Sequence, residues 1–286
     1  MKLVLAVLFI LLFFPSFSQD TIKIKKVQRN FIINVVPNQY NKPLIGLANF
    51  AKGNHKGFQN SLFNWNQMNF NGTQVGIINI IGGSLTKVQI GVGNFCTDTI
   101  NGIQVGFINI AKKRKGIQIG FINYSDTVLS GFEFALLSIV RKGYQGFEIG
   151  VSEMFPYNLS YKIGLKHQYT SVNLSGNNNL EYPVFGFGFG SIFSLKKSFF
   201  INPDFLFQNG ILKSKQGVMT LVAKLSYGIS KKIHVSAGPS LVWITSHSET
   251  TKLDLPTYSI YNHSINYRNN ILVGFRFSLT YNLKGI

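Results

Sequence analysis

The stretch GIQVGFINIAKKRKGIQIGFINYSDTVLSG, residues 102 to 131, alternates apolar with polar or small residues, breaks for a polar loop, and repeats itself. In the copy at 102–110 one set of alternate positions holds Ile103, Val105, Phe107 and Asn109, and the other holds Gln104, Gly106, Ile108 and Ile110. A period of two is the signature of a strand. A helix is disfavoured, because each interior glycine would cost about 1 kcal/mol. Aligning on Gly-x-Gln-[Val/Ile]-Gly gives eight copies, which begin at Lys42, Gly57, Gly72, Lys87, Gly102, Gly116, Gly131 and Gly146, 15 residues apart except for one step of 14.

One face of each copy is apolar for three pleats and the other begins polar and small, the alternation of a transmembrane barrel strand. Nine residues at about 3.3 Å each reach roughly 30 Å, or about 23 Å along the axis of a barrel with strands tilted about 40°. A 15-residue repeat also fits one coil of a β-solenoid, and the loops are used to decide. Odd-numbered loops carry Lys52, Lys56, Lys87, Lys112, Lys113, Arg114, Lys115, Arg141 and Lys142, whereas even-numbered loops carry no base and the acids Asp98 and Asp126. Such alternation favours two different ends, and therefore an antiparallel meander with a basic extracellular rim.

From about residue 157 the repeat fades but strands continue: YKIGLKHQYTSVNL, VFGFGFGSIFSL, SFFINPDFLFQ, GVMTLVAKLSYGI, IHVSAGPSLVWI and NILVGFRFSLTYNL. Short Lys-rich turns alternate with longer loops near 174–181, 209–215 and 248–267, as in outer-membrane barrels. The fold expected is all-β: an antiparallel up-and-down transmembrane β-barrel of about 14 strands (12–16). Its divisions are a signal peptide at 1–18, a periplasmic lead at 19–41, and a barrel over 42–286, with repeat strands to 154 and longer strands from 155. FIINVV, at 31–36, reads as a further short strand or a plug.

GFGFGSIFSLKKSFFINPDFLFQ and YGISKKIHVSAGPSLVW resemble outer-membrane β-barrel proteins of Gram-negative bacteria, and the iterated GxQ[VI]GxIN resembles bacterial surface-repeat proteins. The resemblance implies fold and location rather than activity. The chain departs from the barrel pattern at its end, Lys284-Gly285-Ile286, where an aromatic residue is usual.

The N-terminus agrees with export. Lys2, the apolar run Leu3–Phe14, Pro15 and Ser16-Phe17-Ser18 form a cleavable signal, too short to span a bilayer. The 28 basic against 10 acidic residues point, in an exported chain, to outer-membrane lipids and anionic lipopolysaccharide rather than nucleic acid. The single cysteine, Cys96, excludes an internal disulfide and reads as apolar filler.

Gln59, Gln74, Gln89, Gln104, Gln118, Glu133 and Glu148 share one repeat position and are the candidate lumen lining. Asn49, Asn64, Asn79, Asn94, Asn109 and Asn123 share another, read as strand ends or turns. His234 and Ser236 share a strand face and form the one pair able to activate a nucleophile, with a lipid hydrolase as the weaker reading. The histidines lack metal-ligand spacing. The function expected is therefore non-enzymatic: a passive pore, anion-favouring, or a surface structural protein, without cofactor or metal, inserted by the barrel-assembly machinery. The alternative is a surface adhesin whose repeats form a solenoid on a small barrel anchor.

Overall fold

The computed structural model describes residues 30–176, 183–196, 198–210, 216–246, 260–266 and 269–284. The expected signal peptide, residues 19–29 of the lead and much of the three longer loops lie outside these. The described residues form strands and no helix, and no helix among them is long and apolar enough to cross a membrane.

The first sheet contains β1 (Ile33–Val36), β2 (Leu44–Ile45), β3 (Ala48–Ala51), β4 (His55–Asn60), β5 (Phe63–Asn66), β6 (Phe70–Ile81), β7 (Leu85–Ile100), β8 (Ile103–Arg114), β9 (Ile117–Val128) and β10 (Glu133–Val140). Every pairing between them is parallel and keeps the repeat register: Gln74 lies beside Gln89, Gln89 beside Gln104, and Asn79 beside Asn94. The repeats are rungs of a β-solenoid, all headed the same way. The antiparallel meander expected over 42–154 is thereby overturned, and with it the 14-strand barrel beginning at residue 42.

Two polar ladders explain why parallel stacking prevails. In-register parallel strands place identical side chains about 4.8 Å apart, where primary amides reach one another. Each asparagine donates through Nδ2 to Oδ1 of the next, from Asn34 through Asn49, Asn64, Asn79, Asn94 and Asn109 to Asn123, at 2.9 Å throughout. The glutamines run the other way: Gln74 donates to Gln59, and so on to Gln118 on Gln104, at 2.6–2.9 Å. Both columns are fully buried. An antiparallel arrangement would offset the copies and leave these amides unpaired in the interior, at about 1–3 kcal/mol each.

Each copy is also bent. The pairing passes from Gly76↔Gly91 to Ile78↔Gly93, leaving Ile77 and Val92 outside the ladder at a corner. The nine-residue phrase is thus two short arms rather than one stave. Glycine immediately precedes the corner because the asparagine ladder passes close by: a Cβ on Gly106 would lie 2.2 Å from the Gly91 carbonyl oxygen and 2.6 Å from Asn94 Nδ2.

The loops, odd and even alike, stack on the edge opposite the corner. Their alternating charge runs along the stack, not between two ends. Asp126 accepts two hydrogen bonds from Arg141, 15 residues on, with a closest approach of 2.8 Å. Acids between basic loops relieve the repulsion that stacking like charges would create.

FIINVV supplies an additional rung: β1 pairs with β3, and Asn34 joins the ladder. The eighth copy, GFEIGVSEM, leaves the stack. It carries Glu148 and Glu153 where the ladders need amides, and the rung before it has already lost its ladder asparagine to Ser138.

That eighth copy becomes the first strand of the second sheet, which contains β11 (Tyr144–Ser152), β12 (Tyr157–Leu165), β13 (Gln168–Gly176), β14 (Val184–Gly190), β15 (Phe193–Lys196), β16 (Phe199–Gly210), β17 (Gln216–Gly228), β18 (Ile233–Ser246), β19 (Tyr261–Asn266) and β20 (Asn269–Asn282). All its pairings are antiparallel. β11 also pairs with β20, closing an eight-stranded barrel of β11, β12, β13, β14, β16, β17, β18 and β20. YKIGLKHQYTSVNL, expected as one strand, is two, with Tyr161 opposite Val172 across the Lys166-His167 turn.

Candidate functional site

Alternation along the barrel strands sends polar residues inward and apolar residues outward. In β16 Asn202, Asp204 and Gln208 are buried, while Ile201, Phe205 and Phe207 are exposed. β20 buries Arg276 and Thr280 and exposes Phe275, Phe277, Leu279 and Tyr281. An apolar outer wall around a polar interior fits a hydrocarbon surround.

The interior is packed in three layers. At the end with the longer loops Phe155, Val184, Val218, Val242, Ile244 and Leu272 form an apolar plug. At the short-turn end Tyr144, Tyr169, Ile192 and Phe200 cluster. Between them lies a charged knot. Glu148 meets Lys162 at 2.7 Å, Lys224 at 2.8 Å and Arg276 at 3.5 Å. Asp204 meets Lys224 at 2.7 Å and Lys162 at 3.1 Å. Tyr169 donates to Asp204 through its hydroxyl, and Thr280 donates to Glu148 at 3.2 Å. Each charged group of the knot is at most 4% exposed and each cation lies within 3.5 Å of an anion, so side chains block the described lumen at this level.

Of the proposed lumen lining, Glu148 alone reaches a barrel lumen. Gln59, Gln74, Gln89, Gln104 and Gln118 are the buried solenoid ladder. Glu133 terminates that ladder. A carboxylate has no hydrogen to donate to Gln118, whose Oε1 is served instead by Ser125 at 3.0 Å. Glu133 faces Arg114 at 3.4 Å, both fully within the stack, and burial lowers the Arg114 pKa against the opposing pull of Glu133.

The residues expected in a basic extracellular rim belong to the solenoid as well. Arg114 is interior. Lys52, Lys56, Lys87, Lys112, Lys113, Lys115, Arg141 and Lys142 line the loop edge of the solenoid rather than a barrel mouth. Lys87 sits at φ 99° in the column otherwise held by Gly57, Gly72, Gly102, Gly116 and Gly131. His234 and Ser236 both point inward without meeting: His234 contacts Asn282 at 3.1 Å, and the Ser236 hydroxyl pairs with that of Ser226 at 2.7 Å. Among the described residues no group of three or more metal-ligating side chains comes together.

Next to its corner the solenoid holds the amide ladders inside and apolar side chains outside, while Phe70, Ile81, Leu85, Cys96, Ile100 and Ala111 form a buried apolar core nearer the loop edge. At its corner Leu47, Leu62, Ile77, Val92, Phe107 and Phe121 form a continuous ridge, each 45–57% exposed, with the rings of Phe107 and Phe121 stacked at 4.7 Å. The arms on either side expose further columns, including Ile90, Ile103, Ile119 and Phe134. Phe50, Trp65, Phe95 and Tyr124 belong to a half-buried column on the second arm. The outward aliphatics were visible in the copy at 102–110. In the sequence nothing but the paired Gly and Asn positions marks the corner.

The two units are joined at the last rung. Ser138 donates its backbone N–H to Thr170 Oγ1 at 3.0 Å, Gln168 donates to the Glu133 carbonyl, and Phe134 stacks on Phe189 at 6.2 Å. Thr170 is the register partner of Phe189, on the outward side of β13 and β14. The outer wall of the barrel therefore caps the free edge of the solenoid, an edge that would otherwise invite pairing with other chains.

Two groups in the solenoid give direct chemical readouts. Cys96 is buried, and burial pushes its thiol up to about 11. At pH 8 about one thiol in a thousand is then ionised. Maleimide is expected to leave Cys96 unmodified in the native protein and to label it once the stack unfolds; rapid native labelling would contradict this packing. His55 is stacked between Tyr40 and Phe70, with ring centroids 6.0 and 5.6 Å away, and burial lowers its pKa below 6.5. The unfolded chain therefore takes up this proton first as pH falls. Stability from this group is complete above about pH 6.5 and declines below it. Proteolysis of the first rungs should quicken between pH 7 and 5, and His55→Phe should flatten that dependence.

No family model and no curated protein matches the chain. Among solved structures it is similar to the KdgM porin in complex with disordered oligogalacturonate, at 10% identity over 48% of this chain and 98% of that one, with a TM-score of 0.20.

Proposed function

We propose that this is a non-enzymatic outer-membrane protein in which an eight-stranded barrel anchors a β-solenoid at the membrane. The observation that carries the reading is the joint at Ser138–Thr170 and Phe134–Phe189, which fastens the last rung to an apolar barrel wall. The filled interior supports an anchor over a pore. The outward aromatics and aliphatics make lipid the surround, with lipopolysaccharide on the far leaflet and the barrel-assembly machinery as the route of insertion.

Orientation follows from loop length. Both barrel termini, the short turns and the solenoid share one end; in barrels of this class that end is periplasmic. Heat-modifiable migration in membrane fractions tests the anchor, and planar-bilayer recording tests the lumen. The expected results are a compact unheated band and no conductance steps above the lipid baseline. Ion-selective steps would replace the anchor with a pore. Release of an intact repeat fragment by protease added to whole cells would place the solenoid outside, as an adhesin requires.

A further inference from the structure

We propose that the solenoid is a wedge inserted into a single membrane leaflet, with its corner ridge in hydrocarbon and its basic loop edge among anionic headgroups. The inference rests on the membrane-anchor reading and extends it to the solenoid.

The solenoid is amphipathic across its width. Leu62, Ile77, Val92, Phe107 and Phe121 crown one edge. Lys56, Lys112, Lys113 and Lys115 are exposed along the other. Toward the loop edge the stack buries an ordinary apolar core of Phe70, Ile81, Leu85 and Ile100; toward the corner it buries amides and exposes aliphatics, as a membrane-embedded structure does. From the glycine column at the loop edge to the ridge is about six residues, or roughly 20 Å of strand, against a half-bilayer hydrocarbon depth of about 15 Å. The arms are long enough for one leaflet and too short for two.

Continuity with the barrel selects lipid as the occupant. The solenoid is fastened to the outside of the wall, where the Phe134 column runs into Phe189, so the two apolar surfaces form one. A stack extending sideways from that wall stays at bilayer level. The Gln and Asn ladders pair their amides with one another without water, leaving Gln59 Nε2 over at the end of its column, and such internal pairing is what insertion requires. The lysine edge complements anionic headgroups.

The test uses the full-length protein in anionic vesicles, in a Cys96→Ser background, with a fluorophore on one new cysteine at a time: Ile77→Cys on the ridge, Lys113→Cys on the loop edge and Leu241→Cys on the barrel wall. Ile77 and Leu241 are exposed, so these changes spare the cores. The expected result is that acyl-chain nitroxide lipids quench the ridge and wall labels. Aqueous iodide should quench the edge label about fivefold more than the ridge label. A wall label quenched by lipid beside a ridge label quenched by iodide would overturn the wedge and leave the anchor standing. A ridge label shielded from both quenchers would mean that a second protein copy covers it, which also overturns the wedge. A wall label that lipid does not quench would overturn the anchor itself.

Discussion

Glu148→Gln is expected to abolish the heat-resistant barrel. Glu148 is the hub of the interior, held by Lys162, Lys224 and Arg276. Glutamine keeps the volume and removes the charge, leaving those three cations with Asp204 as the remaining carboxylate of the knot. Breaking a buried pair in this way costs about 3–5 kcal/mol, because the partner charges stay buried without compensation. On semi-native gels the temperature at which the compact band disappears should fall sharply, or the band should not form. Pairing the change with Lys224→Met should restore part of the loss, since it removes one uncompensated cation. An unaltered transition in Glu148→Gln would mean that the knot is hydrated and the lumen open.

Gly106→Val should unfold the solenoid and spare the barrel. A Cβ at residue 106 meets the Gly91 backbone oxygen at 2.2 Å, and backbone in a stacked rung has nowhere to move. The rungs must separate there, breaking the Asn94–Asn109 and Gln104–Gln89 bonds. Overpacking of about 1–3 kcal/mol and about 1 kcal/mol for each lost hydrogen bond bring the total to roughly 3–5 kcal/mol. Maleimide labelling of Cys96 reads the solenoid, and heat-modifiable migration reads the barrel. The variant should label quickly and still migrate as a compact band. Slow labelling would show that the corner tolerates a side chain and that the ladder geometry is wrong.

Much of this architecture was legible in the chain. The repeat, its period, the oily exterior and the barrel strands after residue 183 follow from alternation and turn residues alone. The direction of the repeats does not, because one strand of period two is identical whether its neighbour is parallel or antiparallel. The decisive signal was the coincidence of Gln and Asn at fixed positions in successive copies. Identical amides at a fixed spacing gain nothing in a meander and hydrogen-bond one another in a stack. The charge alternation pointed the other way, because acids interleaved with bases along one edge look, in sequence, like two edges. The knot in the barrel was hidden for a different reason. Glu148, Lys162, Asp204, Lys224 and Arg276 come from separate strands, and no local spacing relates them; the inward side of each strand identifies them only once the barrel register is known. Arg114 looked like one more loop base because its neighbours Lys112, Lys113 and Lys115 are.

The most direct measurement concerns the direction of neighbouring rungs. Ile103 and Ile117 are register partners in the parallel stack. In a meander the same residues would start two opposed strands, about 23 Å apart across the bilayer. In a Cys96→Ser background, Ile103→Cys with Ile117→Cys should form a disulfide readily under mild oxidation in native membranes. Failure of that pair to cross-link, with spin labels at the two sites reporting a separation above about 20 Å, would contradict the stacked solenoid.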